Sequence, residues 1–264
     1  VILVVVEDEV VRAHVASAVY SSGFDECLGV SLDGYGSGQA GSFYLARGGK
    51  LELLASIPYP HSLGTFYRRV TQALGFTPNR HEGKIVGLAA FGDPSRLYDR
   101  IFARFDLQGE DHFRFKSGQD PFFDKKIANE HSREDVAAAY QRVLEDVATQ
   151  YVAKWVRKTG VSKIACAGGV MANVKMNQRL AEIPEVQSLF VFPNMGDGGV
   201  GVGAALALYA DVRGLDSAPL PHVYLGPSFS DGEISRELSA SGLLFSRFGD
   251  IESEIVDHLV NDRV

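Results

Sequence analysis

Two strand-like segments, each closing on a glycine turn that opens a helical segment, constrain this chain more than any other feature. Residues 163–167 form a strand-like run, apolar from Ile164, that ends on Ala167-Gly168-Gly169-Val170-Met171-Ala172-Asn173, and a helical pattern covers 172–183. Residues 189–192 repeat the arrangement, ending on Pro193-Asn194-Met195-Gly196-Asp197-Gly198-Gly199 before a helical pattern over 200–212. Such a βαβα alternation predicts α/β layers with turns gathered at one end of a sheet.

The upstream half supplies more strands. Residues 27–32 read as a strand ending on Asp33-Gly34-Tyr35-Gly36-Ser37-Gly38, a third glycine turn. Segments 42–46 and 51–57 flank Arg47-Gly48-Gly49-Lys50, where paired glycines suit the tight turn of a hairpin. A strand is expected over 1–6 and a short helix over 10–21, with Asp8 as its N-cap. Residues 64–106 are mostly helical, interrupted at Pro78 and Pro94, and 111–126 read as loop. The clearest helix covers 132–158, with Ser132 and Asp135 as a capping pair and an apolar stripe through Val136, Tyr140, Val143, Val147 and Tyr151. A proline-rich linker at 217–221 precedes two amphipathic helices near 231–241 and 251–262.

With 264 residues, 45% hydrophobic and 22% charged, the chain can build one large domain or two modest ones. A net charge of −7 argues against broad binding to nucleic acid or an anionic membrane. It leaves nucleotides open, since backbone N–H groups and a metal can hold them. Cys27 and Cys166 lie in apolar strand-like runs and read as buried thiols of a reducing, cytoplasmic compartment. The run at 1–6 ends at Glu7-Asp8-Glu9, and no apolar run nears the ~20 residues that span a bilayer. The chain begins without Met inside a strand-like run, which reads as a piece of a longer protein.

Three glycine turns at strand ends, two of them carrying an aspartate, point to a ligand site; plain turn chemistry is the alternative. Asp33 and Asp197 are the hard-oxygen candidates for a metal near phosphate. His14 sits among Ala13, Ala16, Ser17 and Ala18, as a ligand or as a structural histidine. In His81-Glu82-Gly83-Lys84, Glu82 can bond ribose hydroxyls and Lys84 can meet a phosphate, against the reading of a solvated helix start. No zinc motif, Walker A lysine motif or Gly-x-Ser-x-Gly elbow is present.

Asp33-Gly34-Tyr35-Gly36, Ser62-Leu63-Gly64-Thr65-Phe66-Tyr67, Glu82-Gly83-Lys84-Ile85-Val86-Gly87-Leu88-Ala89, Ala167-Gly168-Gly169-Val170-Met171-Ala172-Asn173 and Gly196-Asp197-Gly198-Gly199 follow in one order. That series resembles the NodU/CmcH carbamoyltransferases, relatives of the TsaD threonylcarbamoyl-transferase proteins. The resemblance implies an α/β, actin-like ATPase (ribonuclease H-like) lobe with a mixed sheet and flanking helices, followed by the start of a second domain. It implies the end of a first lobe over 1–25, a nucleotide- and metal-binding lobe over 26–213, and a linker plus the opening of a carbamoyl-adenylate-forming domain over 214–264. The family's His-Asp motif near the reacting hydroxyl would lie before Val1, and most of the C-terminal domain after Val264.

The implied activity is O-carbamoyl transfer. Carbamoyl-adenylate, made from ATP and carbamoyl phosphate, would give its carbamoyl group to a hydroxyl of a sugar, antibiotic or other metabolite. The implied metal, usually Fe2+, would sit on His14, Asp33 and Asp197. Gly34 and Gly36 would face phosphate, and Gly168, Gly169, Asn173 and Gly198 would join Glu82 and Lys84 around the nucleotide. Three positions depart from the family pattern. Val10 and Val11 stand where histidines are expected, and Ser37 stands where an acidic residue is common. Weaker metal binding is therefore expected. A degenerate nucleotide-binding scaffold without catalysis and an actin-like sugar kinase are the alternatives.

Overall fold

The computed structural model describes residues 9–116 and 118–263, so the strand expected over 1–6 and the Asp8 cap lie outside the described residues. In chain order the elements are α1 (Glu9–Ser21), β1 (Glu26–Gly36), β2 (Gln39–Arg47), β3 (Lys50–Pro58), α2 (Leu63–Ala73), α3 (Glu82–Ala89), α4 (Tyr98–Phe102), β4 (Phe105–Asp106) and β5 (Arg114–Phe115). They continue with α5 (Phe123–Glu130), α6 (Arg133–Thr159), β6 (Lys163–Ala167), α7 (Val174–Ala181), β7 (Ser188–Val191), α8 (Val200–Arg213), α9 (Asp231–Ala240) and α10 (Ile251–Val260). Two compact units divide after Pro221: the first holds the sheet and its helices, the second holds α9 and α10.

The main sheet runs β3-β2-β1-β6-β7. The first three strands are antiparallel neighbours, while β6 and β7 join parallel to β1, with Leu28 opposite Ile164 and Ile164 opposite Leu189. This is the mixed sheet with flanking helices that the sequence reading expects. Parallel additions need helical crossovers, which α2 to α6 and then α7 provide.

β1 is central and covered on both faces, which explains its continuous apolar run. Leu28, Val30 and Leu32 enter the core shared with α2 and α6. Cys27, on the opposite face, packs with Val15 and Val19 of α1 and with Ala165 and Ala167 of β6. Gly29 lets α1 come close, because a β-carbon there would lie 2.6 Å from Val15 Cγ1. α6 is fixed at both ends. The Ser132 hydroxyl accepts the Asp135 N–H, and Gly160 leaves the helix at φ 72°. The Asp135 carboxylate accepts the Asp93 N–H at 2.8 Å and pairs with Arg96 at 2.8 Å.

Several boundaries differ from the sequence reading: β1 runs on through Asp33-Gly34-Tyr35-Gly36, read as a turn, and three further differences have clear causes. The segment 111–126 contains β5 and the start of α5 rather than loop alone. β5 is two residues long, too short to show a period, and it is held by β4 and by Phe115 packing on Phe105 and Phe66. The region 64–106 ends in β4. The helix expected from 172 begins at Val174, because Asn173 caps it after a 3-10 turn over Gly169–Ala172.

β5 is pinned to the 3-10 turn Tyr59–His61 by the Phe115 N–H, which donates to His61 Nδ1 at 3.0 Å. The His112 ring stacks on His61 at 5.5 Å. Burial, then the Arg114 charge, lowers the His61 pKa; burial, His61 and Arg114 do the same for His112. A histidine held neutral contributes stability that is present above its unfolded pKa of about 6.5 and is lost as pH falls through the lower folded value. The melting temperature is therefore expected to be level above pH 7 and to fall by a few degrees on acidification below about pH 6.5. His61→Asn should flatten that fall; an identical pH profile in the variant would show that the pair is not its source.

Candidate metal and nucleotide site

The site begins with α1. The small residues around His14 give α8 room to pack on this helix, and a β-carbon on Gly203 of α8 would lie 1.8 Å from the Ala13 carbonyl oxygen. His14 is wedged beneath that contact and is 0% exposed. Asp33 lies where β1 leaves regular pairing with β2, between Leu32 and Gly36. Its Oδ1 accepts the Gly169 N–H at 3.0 Å, and its carbonyl accepts the Ser62 hydroxyl at 2.9 Å. Ser62 also caps α2 by accepting the Thr65 N–H. Asp197 opens the 3-10 turn Asp197–Gly199 between β7 and α8, with its side chain largely exposed.

These three elements bring three ligand atoms within 4.8 Å of one another. His14 Nε2 lies 3.5 Å from Asp33 Oδ2 and 3.7 Å from Asp197 Oδ1. Burial pushes the Asp33 carboxyl up. The His14 ring and the Gly34 and Gly169 N–H groups outweigh that and hold it below the usual carboxylate range. Both ring nitrogens of His14 are buried and have no hydrogen-bond partner among the described residues. An unsatisfied buried polar group costs about 1–3 kcal/mol. A cation held by His14 Nε2 and two carboxylates would remove that cost at Nε2, so these residues fit a divalent metal, and the mixed N and O donors admit several.

A cleft of about 950 Å³ opens beside the triad, at the upper end of the usual range for small-molecule sites. Asp33, Asp197, Gly34, Glu82, Gly169 and Asn173 line it. Glu82 Oε1 accepts the Asn79 N–H at 2.6 Å. Asn173 caps α7 through the Met176 N–H and exchanges two hydrogen bonds with Gln141, at 2.9 and 3.0 Å.

The other predicted residues lie outside the lining. Lys84 reaches over the Phe76 ring, its Nζ 5.9 Å from the centroid. Gly168, at φ 96°, serves a close crossing, since a β-carbon there would lie 2.3 Å from the Leu32 carbonyl oxygen. Gly198 packs on the Asn194 side chain. Gly36 packs on Val10, the residue one helical turn before His14, with Val10 Cγ1 2.7 Å from the position of a β-carbon. Val11 is buried.

Sequence reasoning missed Tyr35, Tyr59, Tyr67, Arg68, Asn79 and Arg80, all of which line the cleft. One signal was available for part of this wall. Gln141 and Glu145 interrupt the buried face of α6 at i, i+4, and Gln141 accepts the Tyr67 hydroxyl at 2.5 Å. A buried polar pair on an apolar helix marks a polar network behind a site.

This lobe is an α/β protein with a candidate metal cluster beside a cleft. Residues 3–206 match the family described as carbamoyltransferase N-terminus, and the chain belongs to that family. It is 33% identical over 254 residues to the Methanocaldococcus jannaschii protein MJ1058, covering 85% of this chain and 41% of that one. It is 31% identical over 267 residues to the nodulation protein NolO of Bradyrhizobium diazoefficiens, covering 96% of this chain and 48% of that one. The chain thus spans less than half the length of these relatives. Full-length HypF in its phosphate- and nucleotide-bound form superposes with a TM-score of 0.46 at 12% identity, covering 79% of this chain and 43% of HypF. Among the described residues no helix is long and apolar enough to cross a membrane.

Proposed function

We propose that this chain carries the nucleotide and metal half of an O-carbamoyltransferase site. In this reading carbamoyl-adenylate, formed from ATP and carbamoyl phosphate by a further domain, lies in the cleft and gives its carbamoyl group to a hydroxyl of a small metabolite. Residues 26–213 form the binding lobe, after the end of a first lobe over 1–25, and residues 214–264 lead into the adenylate-forming domain. The observation that carries the proposal is the buried His14 imidazole, unpartnered among the described residues, facing Asp33 and Asp197, which line a nucleotide-sized cleft.

A divalent metal on His14, Asp33 and Asp197, Fe2+ among the candidates, would supply positive charge for the phosphate that leaves as AMP. Around it the chain's own groups position the ligand. Glu82 lines the same cleft, where a carboxylate suits ribose hydroxyls. The test is calorimetry of AMP binding with and without Mn2+ or Fe2+, followed by assay of the full polypeptide for carbamoylated product from ATP and carbamoyl phosphate. AMP binding indifferent to metal would sink the metal half of the proposal. Absence of any carbamoylated product across sugar and aminoglycoside acceptors would sink the transfer.

Val10 favours a second reading, a nucleotide-binding domain without transfer, because a valine occupies the helix position one turn before His14. Val10→His adds an imidazole on the same face of α1. Metal affinity is expected to rise about tenfold or more, judging from the 10- to 100-fold reach of lesser changes around metal sites. Unchanged metal content after dialysis would mean that position 10 does not face the cation.

A further inference from the structure

A second, smaller cavity of about 150 Å³ lies between α2, β5 and α5. At roughly 30 Å³ per water it holds about five waters, too little for a nucleotide and enough for one tetrahedral oxyanion with part of its shell. Its walls are cationic. Arg69, Arg104 and Lys116 line it, against one carboxylate, Asp124.

Arg104 is only 8% exposed and firmly held. Its Nη1 pairs with Asp124 Oδ1 at 2.6 Å, its Nε donates to Gln119 at 2.8 Å, and its guanidinium lies over the Phe123 ring at 4.3 Å. The Tyr140 hydroxyl donates to the same Asp124 carboxylate. Asp124 is thereby neutralised by Arg104 within the protein. Among the described residues Arg104 Nη2 makes no hydrogen bond, yet it is not among the enclosed unpartnered atoms, so it reaches open space. Among the described residues, neither Arg69 nor Lys116 has a side-chain partner. Two uncompensated charges and a fixed guanidinium edge thus converge on a space the size of one anion. Thr65 adds a hydroxyl to the wall, while the Ser62 hydroxyl is already spent on the Asp33 carbonyl.

We infer that this cavity binds a phosphate-sized dianion, either inorganic phosphate or the phosphoryl group of a small ester. The site is separate from the metal triad and does not depend on the transferase reading. Arg104 sets the geometry through its fixed plane, while Arg69 and Lys116 supply the charge.

The test uses the metal-free chain, titrated with inorganic phosphate and separately with methyl phosphate at constant ionic strength, followed by phosphorus NMR line width. Saturable binding of at least one is expected. It should weaken at least tenfold in the Arg69→Gln/Lys116→Gln double variant, with the melting temperature in chloride unchanged. Binding of methyl phosphate as well would identify an ester site; binding of phosphate alone, a free-anion site. A control double variant, Lys50→Gln/Lys175→Gln, removes the same charge elsewhere. Equal weakening in that control, or no saturable binding of either probe up to millimolar concentration, overturns the proposal.

Discussion

Asp33→Asn is expected to reduce divalent-metal affinity by at least about 100-fold while leaving the lobe folded. Changes to residues behind metal ligands cost 10- to 100-fold, and removing a charged ligand costs no less. The substitution is conservative for everything else Asp33 does. An asparagine oxygen can still accept the Gly169 N–H that Asp33 Oδ1 takes at 3.0 Å, and the Ser62 bond goes to the backbone carbonyl. What disappears is the negative charge 3.5 Å from His14 Nε2. With that charge gone, Asp197 is the single carboxylate left in the triad, and it is mostly exposed. An exposed carboxylate is a weak anchor, because water competes for both it and the cation. The measurement is metal content after dialysis, with AMP affinity read in parallel. Wild-type metal content in the variant would remove Asp33 from the site. A collapse in melting temperature would instead assign it a structural role.

How much of this site could be read from sequence depends on where its residues come from. β6 was legible to the residue because both its faces are buried, so Ile164–Ala167 is apolar throughout and stops at a glycine. α6 was legible because Ser132 marks its start and an apolar stripe runs along it, while its end lies at Thr159, one residue past the reading. The triad was legible only as an order of motifs. His14 and Asp197 are separated by most of the chain and meet because α8 lies against α1, a contact no local pattern encodes. The far wall of the cleft was not legible for the same reason. Tyr59, Arg68 and Arg80 come from a 3-10 turn, from α2 and from the segment before α3, and their side chains converge only once those elements pack. β5 escaped because two residues cannot display a period, and its hold comes from aromatic partners rather than from its own sequence.

The contact between α8 and α1 gives the second large effect, and two glycines of one helix test it. Gly201 and Gly203 both lie in α8. A β-carbon on Gly201 would meet nothing within 4 Å, whereas one on Gly203 would lie 1.8 Å from the Ala13 carbonyl oxygen and 3.0 Å from the Ser17 nitrogen. The same substitution should therefore act in opposite directions. Gly201→Ala gains helix propensity and is expected to stabilise by about 0.5–1 kcal/mol. Gly203→Ala forces the helices apart against backbone atoms that have no rotamer to yield, and is expected to destabilise by about 3 kcal/mol or more. The function should follow the structure. α1 carries His14, and α8 begins three residues after Asp197, so a shift of α8 opens the 3.7 Å approach between them. Urea unfolding of both variants measures the energies, and metal affinity measures the coupling. A Gly203→Ala variant as stable and as metal-competent as Gly201→Ala would mean that the triad is not assembled by this helix contact.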